Sequence, residues 1–500
     1  MSEAPQVGQA APTEPDLPTE PALPVVPAQG AAPDRPDAAR TSGETAAPAA
    51  TAAPGDPAPL AEADERSVPQ LADGVELCGR YEGAGYTDPR FLIGRADGQM
   101  ILVSELLYLV ASQIDGHRDL REIAERVTAA CGSQISAAGV GFLIGDKLHK
   151  LGVAALDEPV AEAPRADPLI SLAMRGVLLP AVVVRALAAV LAPLFQPVIV
   201  VSVLCAMVVA DVALVASGSL DPAFQASVGD PAHLLMLILL IVTSTLFHES
   251  GHAAGCHYGG GRPGAIGFGI LLIFPAFYTN VTDAYRLDRA GRLRTDLGGL
   301  YFNAIYILVM AGLFWATGFA PLAVFIVLSH MQMLQQLLPL IRLDGYYILG
   351  DLVGVPNLFA HVRPFLRKLL GRQQPGEQVG AGLRPQVRLL VTCWVAVVVP
   401  VLFLSLLTLF VRVPRYLGTA LERGHEFWLW GLAGFQQGHV LIGLVAVLSL
   451  FVLLLPWMGG IAFVIRIGSK IGKWYRRKHP RHVPRHRAPV TRNRFGLRTS

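Results

Sequence analysis

The chain has 500 residues, of which 52% are hydrophobic and only 16% charged. That balance argues against an ordinary soluble enzyme and for a polytopic membrane protein. The formal net charge of +3 excludes little as a sum, because the first seventy residues lean acidic and the last thirty-five are strongly basic. Five cysteines (Cys78, Cys131, Cys205, Cys256 and Cys393) are scattered without a CxxC pair, so no disulfide framework is expected. No basic region followed by an apolar core opens the chain, and no cleavable signal peptide is expected.

Residues 1–70 are rich in Ala, Pro, Glu and Asp, with almost no aromatic or large aliphatic side chains. Such a segment buries too little apolar surface to offset its ordering entropy, and a disordered tail is expected. Residues 73–156 differ. Phe91 to Gly94 followed by Ala96-Asp97-Gly98 reads as a strand and turn. Ser104 to Ser112 has apolar residues at helical spacing, and Asp115-Gly116 breaks the chain. Asp119 is placed to cap a helix carrying Leu120, Ile123, Ala124 and Val127 on one face. A further helix carries Val140, Phe142, Leu143, Leu148 and Leu151 and ends at Gly152. The pattern predicts a small α+β domain of winged-helix form.

The remainder reads as membrane. Residues 168–190 are apolar but carry Arg175 and Arg185, which suits an interfacial segment. Six spans are predicted, at 194–216, 232–256, 296–317, 321–343, 389–412 and 438–465, each long enough for a hydrocarbon core of ~30 Å. The stretch 264–277 is too short, too glycine-rich and too interrupted by Pro275 for a span, and reads as re-entrant or interfacial. The expected fold is therefore mainly α, a helical bundle over 194–465 with the small domain ahead of it.

Arginine and lysine set the orientation. The segments 284–294 and 356–388 and the tail 466–500 are basic, whereas 217–231 has neither residue. Six spans put the three basic segments on the side of the N-terminus; Arg412, Arg415 and Arg423 fall on the other side. Both termini and the small domain are expected to be cytoplasmic, in a multi-pass membrane protein. The basic tail serves topology first and contact with anionic lipid second; no nucleic-acid motif accompanies it.

Phe247-His248-Glu249-Ser250-Gly251-His252 closes the apolar run that begins at Leu234. Ionisable groups inside a span are expensive and ask for a compensating role. On a helix, residues four apart point the same way, so His248 and His252 can ligate one zinc ion while Glu249 serves as base on a zinc-activated water. Cys256, four residues beyond His252, reads as a small apolar filler. A hydrolytic zinc site needs a third protein ligand and an open position. Asp344 follows the span 321–343 at a depth matching His252, with Pro339 before it and Gly345 after it.

His248-Glu249-Ser250-Gly251-His252 with Leu343-Asp344-Gly345 resembles the site-2 protease family of intramembrane zinc metalloproteases, and within it a bacterial branch of peptide zinc metalloproteases. The likeness covers about residues 230–352 and extends to Gly267-Phe268-Gly269, Phe274 to Tyr278 and Asn280 to Ala284. It implies that His248, His252 and Asp344 bind zinc and that Glu249 is the acid/base. Pro339 stands where the family's aspartate motif has it; Gln336 replaces its Asn and Ile341 a second Pro. Gln336 keeps the amide donor and acceptor, and Gln336 and Pro339 are expected to contact substrate.

Residues 73–156 resemble PqqD-like domains through Asp97-Gly98-Gln99, Ile114-Asp115-Gly116, Leu120 to Ile123 and Leu148 to Val153. The resemblance implies a cytoplasmic peptide-recognition module, and partners in peptide modification or export.

The expected activity is hydrolysis of a peptide or membrane-protein substrate. Asn303 is a polar group in a span that either faces the site or bonds a neighbouring helix. Gly259-Gly260-Gly261 and 264–277 are candidates for a gate or substrate edge. Two rival classes remain: a non-hydrolytic zinc-containing accessory protein, and a transporter, which predicts matching repeats that the sequence does not show.

Overall fold

The computed structural model describes residues 25–26, 65–156, 173–229, 231–271, 274–372, 380 and 382–478. The expected disordered tail, apart from Val25–Val26 and residues 65–70, and the basic residues beyond Lys478 lie outside the described residues.

The N-terminal α+β unit has β1 (Val25–Val26), β2 (Gln70–Leu71), β3 (Glu76–Arg80), β4 (Arg90–Gly94) and β5 (Met100–Ser104). Four of these form an antiparallel sheet in the order β1-β5-β4-β3. The predicted turn after β4 is present, with Gly98 in the left-handed region at φ 77°. Helices α1 (Glu105–Gln113), α2 (Leu120–Cys131) and α3 (Ala137–Phe142) follow, and α3 continues as a wider π-turn over Leu143–Leu148. Asp119 caps α2 as expected, accepting from the Glu122 amide at 2.9 Å. A short β6 (Ala154–Ala155) pairs with β2.

Side chains alternate across a strand. Ile93, Ile101 and Val103 face the unit's own core, with Leu107, Leu120, Ile123, Val127, Val140 and Leu148. Leu92, Met100 and Leu102 face the other way, into a cluster with Tyr346, Val353, Val355 and Trp394 of the membrane region. Burial on both faces explains why β4 and β5 read as continuous apolar runs. It also seats the unit firmly on the helices.

The helical part contains β7 (Ala173–Leu179), α4 (Ala181–Leu191), α5 (Pro197–Ala216), α6 (Leu220–Gly229), α7 (Pro231–Tyr258), β8 (Ile266–Leu271) and β9 (Phe274–Thr279). It goes on through α8 (Arg289–Thr317), α9 (Ala320–Leu337), α10 (Asp344–Val353), α11 (Val362–Leu369), α12 (Pro385–Gln436) and α13 (Val440–Lys478). Five helices among the described residues are long and apolar enough to cross a membrane: Pro197–Ala216, Leu235–Tyr258, Arg289–Thr317, Ala320–Leu337 and Pro385–Arg415. The fold is a helical membrane bundle with a small α+β unit.

The structure gives form to three of the expected segments and corrects two helix boundaries. The predicted sixth span falls within α13, a single helix from Val440 to Lys478 in which Val440–Phe451 is the apolar stretch found among the described residues. The segment read as interfacial contains β7 and α4, and the stretch read as re-entrant or interfacial contains the hairpin β8–β9, which β7 joins in a three-stranded sheet. In a strand the backbone groups find partners across the hairpin, so the glycines of this stretch do not force a loop. The span predicted to run to residue 343 stops at Leu337, and Leu338 is extended, as the residue before Pro339 should be. Helix α8 begins seven residues earlier than predicted, at Arg289, with Asp288 accepting from the Gly291 amide at 2.7 Å. Its first turns carry Arg292, counted from the sequence among the basic residues of a loop over 284–294 but buried in the structure.

Candidate metal centre

Helix α7 presents His248 and His252 one turn apart, with their Nε2 atoms 3.1 Å from each other. Both rings are buried. What lies against them is set by the crossing of α7 and α8, which is very close. A Cβ on Gly251 would sit 2.3 Å from the Gly298 carbonyl oxygen, and one on Gly298 would sit 2.5 Å from that of Gly251. Only glycine permits two helix backbones to approach in this way. The approach brings the Thr295 carbonyl of α8 within 2.8 Å of His252 Nδ1. A carbonyl can only accept, so Nδ1 carries the proton and the Nε2 lone pair of His252 points toward His248.

Asp344 reaches the same point from the first residue of α10. Its Oδ2 lies 3.2 Å from His248 Nε2 and its Oδ1 lies 3.5 Å from His252 Nε2. One donor atom from each of the three residues falls within 4.8 Å of the others. The turn that delivers Asp344 depends on Gly345, where a Cβ would meet the Leu337 carbonyl oxygen at 2.2 Å. That close approach to the end of α9, not a special backbone angle, is what requires glycine there.

Two nitrogens and a carboxylate oxygen suit zinc. The surroundings fit an ion as well. Apart from its contact with His248 Nε2, the buried Asp344 Oδ2 has no hydrogen-bond partner among the described residues. A Cβ at Gly299 would lie 2.5 Å from both His248 Nε2 and His252 Nε2. A glycine at that position keeps open the space on which the donors converge.

Glu249 is buried beside them, and its Oε2 accepts from the Thr279 hydroxyl at 2.7 Å. The same hydroxyl lies 2.9 Å from the Glu249 carbonyl. Thr279 is the last residue of β9, paired with Ile266 of β8. The hairpin thus places one hydroxyl on the candidate base. Sequence reading missed Thr279, since a threonine at a strand end carries no motif. It also missed Thr295 and Gly299, although Gly298-Gly299 inside an apolar helix was a usable sign of close packing.

Among the residues expected to touch substrate, Asn303 of α8 and Gln336 of α9 are neighbours, with the Asn303 amide 3.4 Å from Gln336 Oε1. Asn303 therefore makes the interhelical contact that was one of its two expected roles. The Pro339 carbonyl accepts from Trp394 Nε1 at 2.9 Å, tying the α9–α10 connection to α12. Gly259 and Gly260 form the turn that ends α7, with Gly260 at φ 92°. Cys256 is free and fully buried, as a small filler should be.

A second buried polar cluster lies at the other end of α10. Asp351 Oδ1 accepts from Arg292 Nε at 2.9 Å and from the Tyr81 hydroxyl at 3.0 Å. Burial, reinforced by the Asp351 charge, holds the Tyr81 phenol well above its ordinary pKa, so it remains a donor.

A helical membrane bundle with a buried His-His-Asp cluster beside a glutamate defines a class of membrane protein able to hold a metal ion. Comparison with known proteins points the same way. A 118-residue stretch is 28% identical to a Bacillus subtilis (strain 168) protein named "Putative peptide zinc metalloprotease protein YydH". The stretch covers 23% of this chain and 46% of that protein, under half its length. No family model and no solved structure matches the chain.

Proposed function

We propose that this protein is a membrane-embedded zinc metallopeptidase of the site-2 protease type. The observation that carries it is the convergence of His248, His252 and Asp344 on a gap kept open by Gly299, with Glu249 buried alongside. His248, His252 and Asp344 would hold the ion. The chemistry it supplies when bound is Lewis acidity, which acidifies water and polarises a peptide carbonyl.

The rest falls to the chain's own groups. Glu249 takes the proton of the attacking water and delivers it to the leaving amine nitrogen. Thr279 fixes the rotamer of Glu249 through its hydroxyl. The Thr295 carbonyl holds His252 in the tautomer that turns Nε2 inward. The Asn303 and Gln336 amides, with the Pro339 turn, are the proposed contacts for the backbone of a peptide or membrane-associated substrate. The proposed organisation has the α+β unit as a PqqD-like peptide module on the cytoplasmic side with both termini. The basic segments 284–294 and 356–388 support that orientation, Arg292 excepted.

The test is purification of wild type and Glu249→Gln, zinc determination, and cleavage of a broad peptide panel. Zinc in both and cleavage by wild type alone is the expected result. Loss of the base should slow turnover by about 10²–10⁴-fold. Equal zinc with no cleavage by either protein would favour a non-hydrolytic accessory role instead.

A further inference from the structure

Helix α10 carries Asp344 at one end and Asp351 near the other, seven residues or about 10 Å apart. The far end is held by two different parts of the chain. Arg292, only 1% exposed, donates to Asp351 from Nε, to the Leu287 carbonyl at 2.8 Å and to the Glu82 carbonyl at 2.9 Å. Its guanidinium also stacks 4.3 Å above the Tyr81 ring. Tyr81 adds its own hydroxyl to the same carboxylate oxygen. Tyr81 and Glu82 belong to the N-terminal α+β unit, so that unit and α8 grip one carboxylate together.

The backbone makes a second hold. Gly354 ends α10 at φ 70°, and its carbonyl accepts from the Gly85 amide at 2.9 Å. A Cβ on Gly354 would lie 2.1 Å from the Gly83 carbonyl oxygen and 2.5 Å from the Gly85 nitrogen. Tyr81, Leu92, Met100 and Leu102 close the apolar cluster around Tyr346 and Val353 of the same helix. The start of α10 is held by packing and not by a cap: Leu343 offers no side-chain cap, while Gly345 lies against the Leu337 carbonyl and the Pro339 carbonyl accepts from Trp394. A three-turn helix behaves as a rigid rod over this length. The grip on its C-terminal end therefore acts together with the α9 contact in fixing where its first residue points.

We propose that the α+β unit is a working part of the metal centre: Tyr81 and the Gly83–Gly85 turn hold the far end of α10 and thereby set Asp344 against His248 and His252. The inference rests on the metal-binding role proposed above for those three residues. Undocking the unit would withdraw one ligand of three, and by linkage a bound ion would tighten the docking in return. Tyr81 is on this account a positioning residue, acting through Asp351.

The experiment uses the full chain in detergent micelles, comparing wild type with Tyr81→Phe and Gly354→Ala. Arg121→Ala, on a surface ion pair with Glu65, is the control. Amide hydrogen exchange is followed in the metal-free proteins over residues 344–349 and 350–355, and zinc affinity is measured by chelator competition. Faster exchange in both windows is expected, together with zinc binding about tenfold weaker in Tyr81→Phe and about a hundredfold weaker in Gly354→Ala. A purely structural Tyr81 would lower the melting temperature and leave the folded protein's zinc affinity unchanged. Faster exchange confined to 350–355 with wild-type zinc affinity overturns the proposal. Should wild type bind no zinc while exchange at 344–349 still responds to Tyr81→Phe, the metal assignment falls and the mechanical coupling stands.

Discussion

Replacing Gly299 with alanine adds one methyl group to the candidate metal centre and alters nothing else. Built on the α8 backbone, that carbon lies 2.4 Å from His248 Cε1 and 2.5 Å from the Nε2 atoms of both histidines. Ordinary contact begins at 3.4 Å, so the rings must retreat by about 0.9 Å in total displacement from the carbon. Neither has much room. His252 is tied to the Thr295 carbonyl, and α7 is pinned to α8 at Gly251 and Gly298. Metal–ligand distances tolerate only about 0.2 Å, so the donor set cannot absorb the shift. Zinc affinity should fall at least about a hundredfold. Alanine is the better helix former by about 1 kcal/mol, so intrinsic helix propensity does not account for a loss. The assay is chelator competition on the purified protein, with a thermal melt to show that it is folded. Gly312→Ala in the same helix is the control, because a Cβ there meets no atom within 4 Å. A folded Gly299→Ala protein with wild-type zinc affinity would refute the assignment of this gap as the metal cradle.

Thr279→Val removes the hydroxyl bonded to the Glu249 carboxylate; turnover should drop about tenfold with zinc content unchanged, and Thr279→Ser should restore it. Arg292→Ala leaves Asp351 buried without its cation and should destabilise the fold by about 3–5 kcal/mol in a denaturation series. His361 is half-buried, and desolvation lowers its pKa from the ordinary 6.5. The unfolded chain therefore binds this proton more readily than the folded one. The associated stability is complete above 6.5 and diminishes as the pH falls through that value toward the folded pKa. Melting temperatures at about pH 7.5 and about pH 5.5 should differ less for His361→Gln than for wild type; an equal acid sensitivity would exclude His361 as its source.

The candidate metal centre was legible in the sequence as far as periodicity and membrane depth could carry it. His248 and His252 lie on one helix, where four-residue spacing dictates a shared face. Asp344 was reached through matching depth, although the helix expected to deliver it ends at Leu337 and a separate helix begins at the aspartate itself. Residues that act through tertiary contact were not legible. Thr279 meets Glu249 only because β8 and β9 fold back as a hairpin, and a glycine-rich apolar stretch gives little sign of that pairing. Arg292 was placed in a loop because a charge beside a span usually lies outside it; here Asp351 and the Glu82 carbonyl, both distant in sequence, satisfy it together with the nearby Leu287 carbonyl.

The glycines join these observations. Gly251, Gly298 and Gly299 act at one place with distinct effects: the first two let the backbones of α7 and α8 touch, and the third leaves the resulting hollow unfilled. Without the touch, the Thr295 carbonyl would not reach His252, and the tautomer that turns Nε2 inward would lose its partner. Without the hollow, the same touch would drive a methyl group between the ligands. Gly345 and Gly354 do for α10 what the others do for α8, allowing its start to lie against the end of α9 and its end against the α+β unit. Each requirement is steric and local. Together they place a three-residue donor set between three helices that no single stretch of sequence could have arranged.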